Sequence, residues 1–427
     1  MLKKYHDIAK KKLFLLNRSL TGKGNIQTLK IIKNEFPKLD IKRIKSGTKV
    51  FDWRVPPEWN VKEAYIEDEN KNRLIDFKKN NLHLIGYSLP INKKIKRNEL
   101  LKIIHSSKKR PFAIPYLTSY YEKYSGFCTT EKFKKDIIKK YSSSSKFYVK
   151  IDSSINNNGH MHYGELLLKG KSEKEILIST YICHPSMANN ELSGPIVSMT
   201  LINYFKKIRL NYSIRFIFIP ETIGSIAYIS KNFENLKKNV IGGYNLSCIG
   251  DDRNHSCIFS KYKNSHSDDA LLKSYKKLKI KYKEYSFLKR GSDERQYNSP
   301  GIDLKIASVC RSKYGTYPEY HTSDDDFKLV TLKGLKGGFN VVKNAIIFFQ
   351  KKEIPISKYI CEPQLSKRKM YATIKNTLSN NIDKYVRDFL QYADGTNDIK
   401  KISKMINVNE NICKKIYLRA KKKLLIY

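Results

Sequence analysis

The chain is poor in the residues that would staple or anchor it. Its 427 residues include only seven cysteines and two tryptophans. Cys128, Cys183, Cys248, Cys257, Cys310, Cys361 and Cys413 are odd in number and contain no Cys-x-x-Cys pair. That argues against a disulfide framework and against a thiolate zinc site. No apolar run approaches a membrane span, and Leu13-Phe-Leu-Leu16 is too short for the apolar stretch of a signal peptide. A reduced, cytoplasmic setting is therefore expected. Acids are scarce as well: 40 Asp and Glu face 83 Lys and Arg, a net charge of +43. Such a balance can mark a nucleic-acid binder. Here the lysines are spread along the whole length, and the densest runs (residues 10–12, 93–97 and 421–423) are short. They read as solvated faces, so a nucleic-acid partner is not favoured.

What is present is material for a core. The chain is 40% hydrophobic and 12% aromatic, and long enough for two or three domains. Residues 1–46 read as N-terminal helices, the second near 26–36 and stopped by Pro37. Gly22-Lys-Gly24 lacks the preceding strand and the ending of a phosphate loop, and reads as a helix start. Residues 47–130 carry short β-like runs at 50–55, 64–67, 74–77 and 82–87, a small inserted β-rich domain with Trp53 and Trp59 as packing anchors. Residues 131–358 form the main unit. Strands at 147–151, 164–168, 176–182, 214–219, 240–249 and 304–309 alternate with helices near 195–207, 225–235, 268–278 and 335–350. That alternation predicts an α/β fold with a mostly parallel central sheet flanked by helices. Residues 359–427 read as a linker and three short helices (382–392, 399–406, 410–418) before a strand at 424–427, the pattern of a winged helix.

Loops after the carboxyl ends of parallel strands converge on one crevice. Here they carry chemistry. The loop Cys183-His-Pro-Ser-Met-Ala-Asn-Asn-Glu-Leu-Ser-Gly194 follows strand 176–182, and Glu221 follows strand 214–219. Gly291-Ser-Asp-Glu-Arg295 precedes strand 304–309, and Tyr317-Pro-Glu-Tyr-His321 follows it. Pro185 keeps His184 extended, and Ser193 and Pro195 suit a helix start, whose partial positive charge favours an anion. Either histidine alone reads as a core or surface residue. Both together, in matching loops with acids, read as a site for a metal-activated water. Asp324, Asp325 and Asp326 read as solvated acids, and His160 and His162 as surface or packing residues.

These motifs, with Glu221-Thr-Ile-Gly-Ser225, Gly291 to Tyr297 before Pro300-Gly-Ile302, and Tyr320-His-Thr-Ser-Asp324, resemble in that order the zinc exopeptidase (aminopeptidase) superfamily. The closer likeness is to its bacterial aminopeptidase-like branch, with a small inserted domain and a C-terminal winged helix. Asn17-Arg-Ser-Leu-Thr-Gly22, Val50-Phe-Asp-Trp53, Cys361-Glu-Pro-Gln-Leu365 and Tyr392-Ala-Asp-Gly395 also look like that branch, so the likeness covers nearly the whole chain. It implies a metal-dependent hydrolase acting on a small peptide or amide, in a polysaccharide-biosynthesis setting. The chain departs from two-zinc relatives at Ser186, Asn190, Thr222 and Ser247, where they carry acids. One zinc ion per chain is therefore expected, held by His184, His321 and a carboxylate, with Glu191 chosen and Asn190 the alternative. The resemblance makes Glu221 the general base. Asn190, Arg295 and Glu319 are candidates for contacting substrate or oxyanion, and Asp293 for orienting a ligand or holding an ammonium group. Two other readings stand beside it. One is a winged-helix nucleic-acid-binding regulator with a non-catalytic hydrolase-like core; the other is an amide hydrolase acting on a sugar-linked intermediate.

Overall fold

The computed structural model describes residues 1–370 and 385–427. Its centre is an eight-stranded sheet in the order Asp40–Lys45, His160–Leu168, Tyr212–Ile219, Ser172–Tyr181, Val240–Leu246, Ile306–Cys310, Ser256–Ile258, Lys283–Tyr285. Ser172–Tyr181 runs parallel to both Tyr212–Ile219 and Val240–Leu246, and the last of these runs parallel to Ile306–Cys310. These β-branched runs are buried on both faces, as parallel strands covered by helices must be. Ile176, Ile178, Ile214, Phe216 and Phe218 point into one apolar cluster with helices Ser193–Phe205, His266–Leu278 and Leu332–Gln350. Their alternating neighbours Leu177, Ile217 and Ile219 point into a second, with helix Ile223–Asn239 and the small module. Each fully buried side chain of this kind contributes about 1.5–3 kcal/mol. The expected α/β sheet flanked by helices is what forms.

Several elements differ from the expectation. Residues 164–168 belong to His160–Leu168, which is antiparallel to Tyr212–Ile219, and residues 40–45 extend the sheet edge as a strand. The run at 147–151 does not enter the central sheet. It lies in Lys146–Asn156, which pairs antiparallel with Glu58–Glu67 and Ile91–Lys96 in a separate four-stranded sheet. The physical reason is visible in its burial: Phe147, Val149 and Ile151 are inside and the residues between them are not, the signature of a strand covered on one face. Residues 82–87 form a turn at Asn81–His83 and isolated bridges. Trp59 is buried, its Nε1 donating to the Ser88 carbonyl at 3.0 Å, whereas Trp53 is 40% exposed on a hairpin with Lys49–Val50.

Past Pro355 the chain builds its own core from Val386, Phe389, Ile402, Cys413 and Ile416 on helices Val386–Gln391, Ile399–Met405 and Glu410–Lys422. Residues 382–384 of the first expected helix lie outside the described residues. The expected closing strand is reduced to a bridge between Ser357 and Ile426. Lys352, just past helix Leu332–Gln350, ties this unit to the core: its buried Nζ reaches Asp269 on helix His266–Leu278 at 3.1 Å and Asp398 at 2.8 Å. Among the described residues, no helix is long and apolar enough to cross a membrane.

Candidate active site

Parallel pairing brings the first two groups together. The Ile182 amide donates to the Ile219 carbonyl at 2.9 Å, so the two adjacent strands end side by side and release His184 and Glu221 into one crevice. His184 is 4% exposed, and its Nε2 stands 3.7 Å from Glu221 Oε2. The loop after Ile306–Cys310 brings His321 back over the same spot, its ring centroid 5.4 Å from that of His184. His321 adopts φ +55°, the left-handed region that strains a side chain with a Cβ. Tyr320 stacks on its ring at 3.9 Å, and the Tyr116 amide donates to its carbonyl at 2.9 Å. The Tyr116 ring lies 5.1 Å from both imidazoles.

The two imidazoles have opposite electrostatics. Burial pushes His321 down to about 3, and the charge of His184 adds to that. His321 is thus a neutral ring whose buried Nε2 has no hydrogen-bond partner. Burial also opposes charge on His184, but the carboxylates of Glu191 and Glu221 outweigh it and hold His184 above its usual value. Glu191 Oε2 accepts from Nδ1 at 2.8 Å. A hydrogen bond there fixes the tautomer and presents Nε2 as the free donor atom, the usual arrangement behind a metal-bound imidazole.

Glu191 was expected beside the metal. The structure puts it behind the ring, on Nδ1, and gives it a second partner that sequence reasoning did not assign. Arg18 is 1% exposed; its Nε donates to the His184 carbonyl at 3.0 Å and lies 3.7 Å from Glu191 Oε1, and its Nη1 donates to the Leu13 carbonyl. Asn25 adds a bond from Nδ2 to the Ile182 carbonyl at 3.2 Å. The N-terminal segment therefore clamps the histidine loop from below. Cys183 Sγ, His184 Nδ1 and a Glu191 oxygen lie within 4.8 Å of one another. A cation there would meet the Arg18 guanidinium, and burial pushes the Cys183 thiol far up, away from the thiolate. The Nε2 side is the one that fits.

Glu221 leads into a strained corner. Thr222, a β-branched residue, sits at φ +64°, ψ −82°. Asp293 holds it there: Oδ1 accepts from the Thr222 amide at 2.7 Å and from Ser225 Oγ at 2.8 Å. Arg295 Nη2 donates to Thr222 Oγ1 at 2.6 Å, and Ser292 Oγ donates to Glu221 Oε1 at 2.7 Å. Burial raises the Glu221 carboxyl above its ordinary value. Asp293 is pushed up to about 8, first by burial and then by the nearby Glu221 charge.

The remaining expected residues divide. Asn190 is buried, its Nδ2 donating to the Tyr181 hydroxyl at 2.7 Å and its Oδ1 without a partner. Glu319 is spoken for: both its oxygens accept from Arg253 at 2.8 Å, so it is not free for a substrate ammonium. Asp325, expected to be solvated, is fully buried. It accepts from the Asn189 and Asn190 amides and from the Tyr317 hydroxyl, an anchor for the turn that carries Asn190 and Glu191. Burial raises it to about 6. Ser186 and Ser247 are buried and bring no charge. Two imidazoles, one carboxylate and one unpartnered amide oxygen form a donor set that suits a divalent ion such as zinc. A second group, His266, Asp269 and Asp398, is already filled by the Lys352 ammonium.

Comparison with known proteins agrees with this architecture. A family model described as a domain of unknown function (DUF4910) matches residues 6–352, and a winged helix-turn-helix model matches 355–427. A protein of Clostridium acetobutylicum, named for polysaccharide biosynthesis and an aminopeptidase-like domain, is 37% identical over 393 residues, covering 92% of this chain and 88% of its own. A solved structure from the same organism, described as a peptidase, is 34% identical with a TM-score of 0.79, covering 100% of this chain and 96% of its own. A zinc aminopeptidase from Bacillus subtilis shares the fold at 13% identity and a TM-score of 0.61, over 82% of this chain and 94% of its own.

Proposed function

We propose that this chain, which belongs to the aminopeptidase-like DUF4910 family with a C-terminal winged helix, is a one-zinc amide hydrolase working from the His184–His321 crevice. The observation that carries the reading is the meeting of two imidazoles 137 positions apart over Glu221, with His321 Nε2 buried and unpartnered. His184 Nε2 and His321 Nε2 would hold the ion, with Asn190 Oδ1, buried and unpartnered, completing the donor set. When bound, zinc supplies Lewis-acid polarisation and a more acidic water. Few charged carboxylates face the crevice, which suits one divalent ion and not two. Glu221, whose proton affinity burial has raised, accepts a proton from the attacking water and delivers it to the departing amine nitrogen. Ser292 orients the Glu221 carboxylate. Arg295, fixed on Thr222, offers positive charge to the developing oxyanion. Asp293 positions rather than reacts, because it maintains the Thr222 corner through which Glu221 is aimed.

A small peptide or aminoacyl amide is the substrate class. The name of the 37%-identical relative favours, as a second reading, an amide on a sugar-linked intermediate of polysaccharide biosynthesis. Metal analysis tests the site: about one zinc per chain, lost in both His184→Ala and His321→Ala. Glu221→Gln should keep the metal and lose turnover on a panel of aminoacyl amides, and undiminished turnover would reject Glu221 as the base.

A further inference from the structure

A second cavity opens at the far end of the sheet. It has a volume of about 660 Å³ and lies between the core and the C-terminal unit. Its walls come from the amino ends of Ser172–Tyr181 and Tyr212–Ile219, from the end of helix Ile223–Asn239, and from Lys358, Tyr417, Lys421 and Tyr427. Ten residues of strand at about 3.3 Å each separate it from His184, roughly 30 Å. It is therefore not part of the crevice described above.

Its charge is unbalanced. Six lysines and two glutamates line it. Lys352 is neutralised by Asp269 and Asp398, and Glu353 pairs with Lys414 at 3.7 Å. That leaves Lys171, Lys174, Lys238, Lys358 and Lys421 facing Glu173. Among the described residues none of these five amino groups is within ion-pair distance of a carboxylate. Lys174 shows the effect: burial and the neighbouring Lys238 charge hold it below its usual value. Another cavity, of about 830 Å³, is lined by Lys38, Lys169, Lys206 and Lys207 but carries no aromatic side chain as exposed as Tyr427, its aromatic residues Phe36 and Phe205 being buried. Five surround the concavity that Tyr427 lines, where low-dielectric walls focus the field. Tyr427 adds a flat surface, 59% exposed, with Lys174 and Lys358 amino groups 5.6 and 5.4 Å from its ring centroid.

We propose that this seam is a binding site for a small phosphate-bearing anion with an aromatic ring, of the nucleoside-diphosphate class. Lys171, Lys174 and Lys238 of the core and Lys358 and Lys421 of the C-terminal unit take the phosphates, and Tyr427 takes the ring. The volume is that of a small-molecule site. Bound there, the anion bridges the two units, and Lys421 lies on the very helix, Glu410–Lys422, that a winged helix would offer to nucleic acid.

Calorimetry on the full chain at about 0.15 M salt tests this, with ADP, inorganic pyrophosphate and adenosine as probes. One equivalent of ADP should bind, pyrophosphate more weakly, and adenosine not detectably. Lys171→Gln/Lys238→Gln should weaken ADP by about tenfold or more, and Tyr427→Ala should weaken ADP but not pyrophosphate. The charge-matched control Lys93→Gln/Lys94→Gln, on the small sheet, should change affinity by less than about twofold. Equal losses in the control would reduce the effect to diffuse attraction and overturn the site. So would a short DNA duplex that displaces ADP and depends on the same lysines, because the seam would then serve nucleic acid.

Discussion

Removing the Arg18 guanidinium should do more damage than its distance from the reacting atoms suggests. Arg18 is fully buried, and so is the Glu191 carboxylate it faces at 3.7 Å. Burial holds the guanidinium below its ordinary range, with the Glu191 charge opposing that shift. Arg18→Met would leave the buried Glu191 carboxylate with the His184 Nδ1 hydrogen bond but without its guanidinium, and breaking such a buried pair costs up to about 3–5 kcal/mol. It would also orphan the His184 carbonyl that now accepts from Nε at 3.0 Å. Glu191→Gln should cost a similar amount, because it strands Arg18. The double variant removes both charges, so its loss should fall short of the sum by about 2 kcal/mol or more. Urea unfolding of the four proteins measures this cycle, and zinc content of the same samples reports on the site. Arg18→Lys keeps the charge and should recover part of both. Strictly additive losses, or an Arg18→Met protein of wild-type stability and full zinc content, would refute the clamp.

His266 is buried and held at about 3, by burial first and then by the Lys352 charge, against an ordinary value near 6.5. The unfolded chain takes up a proton that the folded one refuses, so stability falls as pH drops below about 6.5, by up to about 1.4 kcal/mol per unit. His266→Gln should flatten that acid slope by about 2 kcal/mol between about pH 6.5 and 5, and an unchanged slope in acid-unfolding curves would reject the assignment. Gly194→Ala would place a Cβ 2.2 Å from Thr180 Oγ1 and 2.5 Å from the Leu246 carbonyl oxygen. The helix Ser193–Phe205 must lift off the strands, at a cost of about 1–3 kcal/mol, and reduced zinc retention should accompany the lower Tm.

Much of this site was readable from strand ends. His184, Glu221 and His321 each follow a β-branched run, and parallel pairing alone brings such positions together, whatever their separation in sequence. What strand ends do not tell is which way a side chain faces. Glu191 stands seven positions from His184, compatible with either ring nitrogen, and only the fold shows it on Nδ1. Asp325 sits in a run of three acids that reads as solvent-facing. It is inside because it accepts from the Asn189 and Asn190 amides, partners more than 130 positions away. Arg18 and Tyr116 were missed for the same reason: nothing local marks either as a neighbour of an imidazole. The strand Lys146–Asn156 was misplaced although its period-two burial is legible, because its apolar content resembles that of the buried strands that follow.

Residues 113–117 are stitched to the loop of the second imidazole by main-chain bonds, Tyr116 to His321 at 2.9 Å and Ser323 to Ile114 at 2.8 Å. They roof both rings and provide none of the candidate donor atoms. Reactivity and admission are thus written on separate stretches of chain, so that a longer, shorter or differently shaped roof could retune which molecules enter while leaving the floor untouched.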